Sequence, residues 1–139
     1  MLEWDCDRLV RNDRVIWASC MVACQDADAM ITGNTRRYSS SLEKIIKVVD
    51  PRPGEIMFGL NLVVNRGKTI FICDTSVIEY PDAKQLAEMA KSAARVAKLF
   101  GFDPKVAFLS HSTFGEPATD RTKRLSDAGE ILKYDKVDF

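Results

Sequence analysis

The sequence lacks the features that mark several large classes of protein. Its 20 basic and 20 acidic side chains cancel, so no surplus of positive charge favours a nucleic acid or an anionic membrane as partner. Its longest nearly apolar stretch, residues 15–24, is about half of what a helix needs to cross a bilayer. The first ten residues carry acids where a secretory signal needs a basic patch and an apolar run. These absences predict a cytoplasmic protein.

Motifs for metal or nucleotide chemistry are also missing. The 4 cysteines contain no CxxC pair, and a single histidine leaves little from which to build a zinc site. No GxGxxG, Walker loop or HExxH is present, so dinucleotide, nucleoside-triphosphate and zinc-protease chemistry have no motif support. We therefore predict no metal site, and we expect the cysteines to be reduced and buried or half-buried.

Hydrophobic periodicity predicts an α/β chain of one domain over residues 1–139. The clearest strand signal is a predicted hairpin over residues 58–73. The clearest helix signal follows residue 82, where Asp82 and Gln85 have the spacing of a capping box, and Gly101 ends the helix. The predicted elements are a helix over 5–24, a buried strand over 29–32, a helix over 42–49, a hairpin of 58–64 with 69–73, a helix over 82–100, a strand over 106–109 and a helix over 120–133.

One predicted βαβ crossover joins the strands 69–73 and 106–109 through the helix 82–100, and such units are right-handed and parallel in nearly all proteins. Because ligands of open α/β folds bind at the carboxyl edge of the sheet, we expect Asp74-Thr75 and the loop after residue 109 to lie at one ligand-binding edge.

The loop after residue 109 is the first candidate site. It carries Ser110, Ser112, Thr113 and Gly115 just before a helix, and free N–H groups at a helix amino terminus attract anions such as phosphate. Plain capping and turn roles for these residues are the alternative. The neighbouring His111 is expected to do no more than form hydrogen bonds at the strand end.

A second candidate loop holds Thr35, Arg36, Arg37 and Ser39 between a predicted strand and a predicted helix. Paired guanidinium groups match the geometry of phosphate or carboxylate. The alternative is a solvated or salt-bridged arginine pair. If both loops serve one ligand, they must open onto the same rim of the sheet.

Four segments resemble motifs of the phosphate acetyl/butyryltransferase family, in the same order and over nearly the whole chain. Residues 25–33 resemble the family strand "GDADAM(V/I)TG", and residues 35–39 resemble the loop "TRNYS" of the branch that is fused to bacterial NADP-dependent malic enzymes. Residues 66–75 resemble "GRTVFVADT", and residues 105–115 resemble "RVALLSYSTFG".

The resemblance implies a three-layer α/β/α fold with a mixed, mostly parallel sheet, of which this chain is a partial domain. It also implies a homo-oligomer, a dimer or larger, and an acyl-coenzyme A or phosphate-like ligand such as acetyl-coenzyme A. No nucleic acid and no membrane partner is expected. NADP and a divalent metal would belong only to other domains of a malic-enzyme parent.

Two departures from the family pattern separate the branches. Glu43 stands where the transferases carry an arginine, a change that favours the malic-enzyme branch. The sequence also stops before later family segments that complete the transferase site, so we expect a fragment that has no catalytic residues of its own. A regulatory, acyl-coenzyme A-sensing module of a malic enzyme is the first hypothesis. A fragment of a working phosphate acetyltransferase and a small scaffold with a vestigial cleft are the alternatives.

Overall fold

The computed structural model describes residues 3–74, 76–112 and 118–139. By its contacts the chain divides into two units, Met1–Arg52 and Pro53–Phe139. Whether both units form one domain stays a prediction. The elements, in chain order, are α1 (Glu3–Asn12), α2 (Arg14–Ala23), α3 (Tyr38–Ile46), β1 (Asn61–Asn65), β2 (Lys68–Ile72), α4 (Ala83–Leu99) and α5 (Asp120–Tyr134).

The first unit begins with two helices where one was predicted. The break falls at Asp13, whose backbone is extended and whose Oδ1 accepts hydrogen bonds from the N–H groups of Val15 at 2.9 Å and Ile16 at 3.3 Å. An aspartate in this position caps a new helix rather than continuing the old one. The cap sets α2 so that Val15, Ile16 and Ser19 are buried.

Asp13 also holds α3 in place. Its Oδ2 accepts a hydrogen bond from Nζ of Lys44 on α3, and it lies 3.5 Å from Nη1 of Arg36. The bond from Lys44, with the two N–H donors of the helix cap, outweighs the cost of partial burial and lowers the pKa of Asp13 to about 2. The carboxylate of Asp13 therefore caps α2 and also pairs with two basic side chains, those of Lys44 and Arg36.

The buried strand predicted at residues 29–32 is wrong. This segment has no strand partner among the described residues, and the side chain of Ile31 is fully exposed. A strand needs a neighbour to pair its N–H and C=O groups, and the first unit is built from helices. Met30 instead contacts α2, with its sulfur 3.4 Å from Oγ of Ser19.

The second unit contains the predicted hairpin, which is confirmed. β1 and β2 pair antiparallel, with Val63 opposite Ile70 and Asn65 opposite Lys68. The two turn residues, Arg66 and Gly67, both have positive φ, at 48° and 76°. A two-residue turn of this kind matches the twist of the two strands that it joins. Glycine adopts its second position without strain.

The predicted helix after residue 82 is also confirmed, together with its signals. Oδ1 of Asp82 accepts a hydrogen bond from the N–H of Gln85 at 2.8 Å, and Oε1 of Gln85 accepts one from the N–H of Asp82 at 2.9 Å. These two bonds form the capping box that the spacing predicted. The helix ends before Gly101, which has a φ of 82°.

The core of the second unit lies between α4 and α5. Ala87 and Ala128 are fully buried, and Ala90 and Leu132 nearly so. Small alanine side chains let the two helices approach closely. Close approach is favourable because protein interiors pack about as densely as crystals of small organic molecules. Larger partly buried side chains surround the contact: Phe108, Ile131, Val137 and Phe139. Two ion pairs join the chain after α5 to α4, from Lys91 to Asp135 at 2.7 Å and from Lys98 to Asp138 at 2.8 Å.

The strand predicted at residues 106–109 is wrong, and the crossover does not form. These residues pair with no strand in the described part of the chain, and Leu109 is 86% exposed. The sheet found in the described residues is the antiparallel pair of β1 and β2, so the α/β class holds but the mostly parallel, three-layer arrangement does not appear here. An apolar run becomes a strand only when a neighbour pairs with its N–H and C=O groups, and the ladder that the described residues form is between β1 and β2.

Two further predictions concern single features. All four cysteines are free, as predicted, but Cys24 and Cys73 are exposed rather than buried. Among the described helices, none combines the length and the apolar character that a membrane span requires.

Replacing Asp13 with alanine should lower the free energy of unfolding by about 1 to 2 kcal/mol, because the change removes the cap of α2 and leaves Lys44 without its carboxylate. Urea titration followed by circular dichroism measures the change. Asp7→Ala is the control, since the pair that Asp7 forms with Arg11 is exposed on both sides. An equal loss in both variants would contradict the role given to Asp13.

The contribution of Asp13 should also depend on pH. Because its pKa falls from the ordinary 3.8 to about 2 on folding, the ionised carboxylate stabilises the fold at every pH above the ordinary value, and this stability is lost as the pH falls through about 2. The difference in unfolding free energy between the wild type and Asp13→Asn should therefore shrink in that window. A difference that stays constant from pH 6 to pH 2 would contradict the assignment.

Replacing Ala87 with leucine should overpack the contact between α4 and α5 and lower the free energy of unfolding by about 1 to 3 kcal/mol. Lys84→Leu, on the exposed side of the same helix, adds a leucine without touching the core and should cost much less. Thermal unfolding of both variants gives the comparison. A tolerated Ala87→Leu would mean that the two helices are not closely packed.

Candidate functional site

A cleft of about 380 Å³ lies in the second unit, where the chain after residue 109 meets the amino-terminal turns of α4 and α5. Among the described residues, those that line it are Glu79, Tyr80, Pro81, Leu86, Leu109, Ser110, His111, Arg121, Arg124 and Leu125. The lining combines polar and charged residues with three leucines, a mixture that small-molecule sites also show.

Two arginines on the first turns of α5 supply the positive charge of the cleft. The guanidinium of Arg121 lies over the ring of Tyr80, 5.3 Å from its centre, which holds the side chain by a cation–π contact. Arg124 donates from Nη1 to the carbonyl of Pro81 at 3.3 Å and from Nε to the carbonyl of Asp120 at 3.2 Å. Arg124 thereby joins α5 to the turn that precedes α4.

The start of α5 is fixed by its own capping box, which fixes the position of both arginines. Oγ1 of Thr119 accepts a hydrogen bond from the N–H of Thr122 at 3.3 Å, and Oγ1 of Thr122 accepts one from the N–H of Thr119 at 2.8 Å. Since Arg121 and Arg124 are three residues apart, they lie on one face of the helix. That face lines the cleft.

Ser110 lines the same cleft, and its hydroxyl is part of a local network. Its Oγ accepts a hydrogen bond from the N–H of Ser112 at 3.2 Å and lies 3.1 Å from Oγ of Ser112. The structure therefore brings one predicted site residue, Ser110, together with two arginines. Ser112, which was also predicted, contacts Ser110 but is not among the described residues that line the cleft. Thr113 and Gly115, the remaining predicted residues of this loop, lie outside the described residues.

Asp74, which the sequence placed at the same edge, has a structural role. Its carboxylate accepts hydrogen bonds from four backbone N–H groups, those of Gly59, Ser76, Val77 and Ile78, at 2.7 to 3.2 Å. Burial opposes ionisation, but the four donors together hold the pKa of Asp74 below its ordinary value. This carboxylate fixes the chain that leads towards the cleft wall, and its predicted neighbour Thr75 lies outside the described residues.

The second predicted loop lies in the first unit, where its two arginines differ. Arg36 forms its ion pair with Asp13, so the salt-bridge alternative describes it correctly. Arg37 is exposed, precedes α3 without a side-chain cap, and has no ion-pair partner among the described residues. Thr35 and Ser39 are exposed as well. That this loop shares a ligand with Ser110 stays a prediction.

Sequence reasoning missed four contributors to the cleft: Glu79, Tyr80, Arg121 and Arg124. One signal was available, because two arginines at positions i and i+3 open the helix directly after a loop rich in hydroxyls. The contribution of Tyr80 had no local signal, since it arises from contact with α5. In the described part of the chain, no group of three or more potential ligands could hold a metal ion.

Comparison with known proteins identifies the chain's relatives. Residues 1–139 match the family described as phosphate acetyl/butaryl transferase. An NADP-dependent malic enzyme of Rhizobium meliloti is 43% identical over 135 residues, which are 97% of this chain and 18% of that protein. A phosphate acetyltransferase of Nitratidesulfovibrio vulgaris is 31% identical over 127 residues, 91% of this chain and 17% of that protein.

A solved structure gives the same result for the fold. The EutD phosphotransacetylase from Staphylococcus aureus superimposes with a TM-score of 0.64 at 23% identity, over 88% of this chain and 38% of that one. The chain thus has the fold of part of a phosphotransacetylase, and it spans less than a fifth of the length of the two curated relatives above. By sequence along its whole length and by fold, the chain belongs to the phosphate acetyl/butaryl transferase family.

Proposed function

We propose that this chain is the phosphotransacetylase-like part of a larger NADP-dependent malic enzyme, and that it binds acyl-coenzyme A as a regulatory module. The similarity of 97% of the chain to 18% of the Rhizobium meliloti enzyme supports the first half of the proposal. The cleft that joins Ser110 to Arg121 and Arg124 supports the second. In the whole protein, the sheet would extend β1 and β2 into the three-layer family fold.

The single observation that carries ligand binding is the charge and shape of this cleft. The guanidinium of Arg121 offers forked donors that suit a phosphate of coenzyme A. Arg124, whose Nε and Nη1 already donate to backbone carbonyls, adds its positive charge and its remaining N–H groups. The hydroxyl of Ser110 adds a further donor, and Leu86, Leu109 and Leu125 offer an apolar surface to the rest of the ligand. We infer that acetyl-coenzyme A, or a smaller phosphate-like anion, binds here.

Catalytic transfer of an acetyl group is the second candidate function, and the phosphate acetyltransferase relative favours it. One residue argues against it. Glu43, which replaces the arginine of the family pattern, lies exposed on α3 and pairs with Lys47 at 3.3 Å. A carboxylate does not supply the positive charge that the family pattern offers to an acyl phosphate at this position. The chain therefore acts as a binding module, and any malate oxidation would belong to other domains of the parent.

The remaining proposals concern the setting of the protein. The exposed apolar residues of the hairpin, Leu62, Val64, Ile70 and Ile72, and the free edges of a two-stranded sheet favour self-association into a dimer or larger assembly. The balanced charge of the whole chain fits a cytoplasmic protein that has neither nucleic acid nor membrane as a partner.

Calorimetric titration of the 139-residue chain with acetyl-coenzyme A tests the binding site. Arg121→Gln should weaken binding about three- to ten-fold, because it removes one charge-assisted contact to a phosphate at an exposed site. Lys123→Gln is the matched control: it removes the same charge from the same helix, at an exposed position that does not line the cleft. Equal effects of the two changes, or no binding by the wild type, would contradict the proposed site.

An assay of the longer protein separates the two candidate functions. A regulatory module predicts that acetyl-coenzyme A alters the rate of malate oxidation and that acetyl phosphate and coenzyme A are not converted. Turnover of acetyl phosphate would support the transferase instead. Arg121→Gln should shift the response to acetyl-coenzyme A to concentrations about three- to ten-fold higher and leave the basal rate of malate oxidation unchanged.

A further inference from the structure

We propose that Tyr80 is a positioning residue of the cleft: its ring holds the guanidinium of Arg121 where an anionic ligand can bind it. This inference rests on the proposed anion-binding function of the cleft and deepens it, because it names the residue that prepares the site before the ligand arrives. The observation that carries it is the contact between the two side chains, in which the guanidinium carbon of Arg121 lies 5.3 Å from the ring centre of Tyr80.

The two arginines of the cleft are held in different ways. Arg124 uses two of its donors on backbone carbonyls, those of Pro81 and Asp120. Arg121 is exposed and forms neither a hydrogen bond nor an ion pair in the part of the chain that the structure describes. The contact recorded for its guanidinium is the ring of Tyr80. Arg121 therefore has its N–H groups available for a ligand, and Tyr80 is the residue that orders it.

The contact with the ring lowers the cost of binding a ligand. An arginine side chain has many rotamers, and a ligand that fixes one of them opposes the loss of conformational entropy. A cation–π contact that already holds the guanidinium removes part of this cost before the ligand arrives. The attraction comes from the charge distribution of the ring and uses no lone pair of the tyrosine hydroxyl. The N–H donors of Arg121 thus remain free to bind a phosphate.

Tyr80 can hold another side chain because its own backbone is held on both sides. Before it, Oδ2 of Asp74 accepts a hydrogen bond from the N–H of Ile78 at 2.7 Å. After it, the carbonyl of Pro81 accepts a hydrogen bond from Nη1 of Arg124 at 3.3 Å, and the capping box of α4 follows directly. The ring therefore belongs to a segment that is fixed to the loop on one side and to both helices on the other.

The position of the ring decides the direction of its effect on affinity. Tyr80 and Arg121 both line the cleft, so their contact keeps the guanidinium in the cleft wall. If the ring held Arg121 outside the cleft, the ligand would have to break the contact, and removal of the ring would tighten binding. The shared lining therefore predicts that loss of the ring weakens binding.

Calorimetric titration of the 139-residue chain with acetyl-coenzyme A compares three changes at tyrosines. Tyr80→Leu removes the ring and should weaken binding about two- to five-fold, the range that a cation–π contact at an exposed site gives. Tyr80→Phe keeps the ring face and should bind as the wild type does. Tyr134→Leu is the control and should leave binding unchanged: it removes an exposed tyrosine from α5 that is not among the described lining residues.

Two further measurements separate positioning of Arg121 from a general effect on structure. In the Arg121→Gln background, Tyr80→Leu should have no additional effect on affinity, because the ring then has no guanidinium to hold. Nitrogen-15 relaxation of the Nε–Hε group of Arg121, measured without ligand, should show a more ordered side chain in the wild type and in Tyr80→Phe than in Tyr80→Leu. Circular dichroism of each variant establishes that it is folded.

Several outcomes would overturn the inference and leave the anion site intact. These are unchanged or tighter binding by Tyr80→Leu, and an Arg121 side chain that is as mobile in the wild type as in Tyr80→Leu. Weakened binding by Tyr80→Phe would overturn it too, because the hydroxyl rather than the ring would then be the group that matters. Absence of binding by the wild type would instead remove the proposed function of the cleft, and the inference with it.

Discussion

The close packing of α4 against α5 is the constraint on which the second unit depends. Ala87 and Ala90 are buried in this contact with Leu132, and their small side chains permit an approach that larger residues would prevent. Because the two helices are fixed, the turn before α4 and the first turns of α5 meet. That meeting brings Tyr80 under Arg121 and the carbonyl of Pro81 to Arg124. The cleft is thus a consequence of helix packing rather than of a sheet edge.

This origin changes how the family resemblance bears on function. The sequence pointed to hydroxyls at the end of a parallel strand as the anion site, by analogy with open α/β folds. In the structure Ser110 lines the cleft, but the positively charged side chains of the lining, Arg121 and Arg124, belong to α5. The arginines of the other loop lie in the first unit. There Arg36, which precedes α3, forms an ion pair with Asp13 at the start of α2. A charged residue within a family motif can therefore serve stability, as Arg36 does through its ion pair with Asp13.

Elements with strong local signals could be predicted from the sequence. The spacing of Asp82 and Gln85 fixed the start of α4, and Arg66-Gly67 closed the hairpin, because caps and tight turns depend on a few adjacent residues. The strands at 29–32 and 106–109 could not be predicted reliably, since an apolar run becomes a strand only when a partner is present to pair with it. The contact of Tyr80 with Arg121 was missed because the two residues are distant in sequence. The break at Asp13 was missed although its signal is local, since Asp13 caps the N–H groups of Val15 and Ile16.

The central claim is that an anionic ligand binds the cleft between the turn before α4 and the start of α5. Backbone nuclear magnetic resonance of the 139-residue chain, labelled with nitrogen-15 and titrated with acetyl-coenzyme A, tests it most directly. The account predicts saturable shifts in the amide signals of Tyr80, Ser110, His111, Arg121 and Arg124, with little change along α2. Shifts confined to the first turn of α3, around Arg37 and Ser39, with an unchanged cleft, would contradict it.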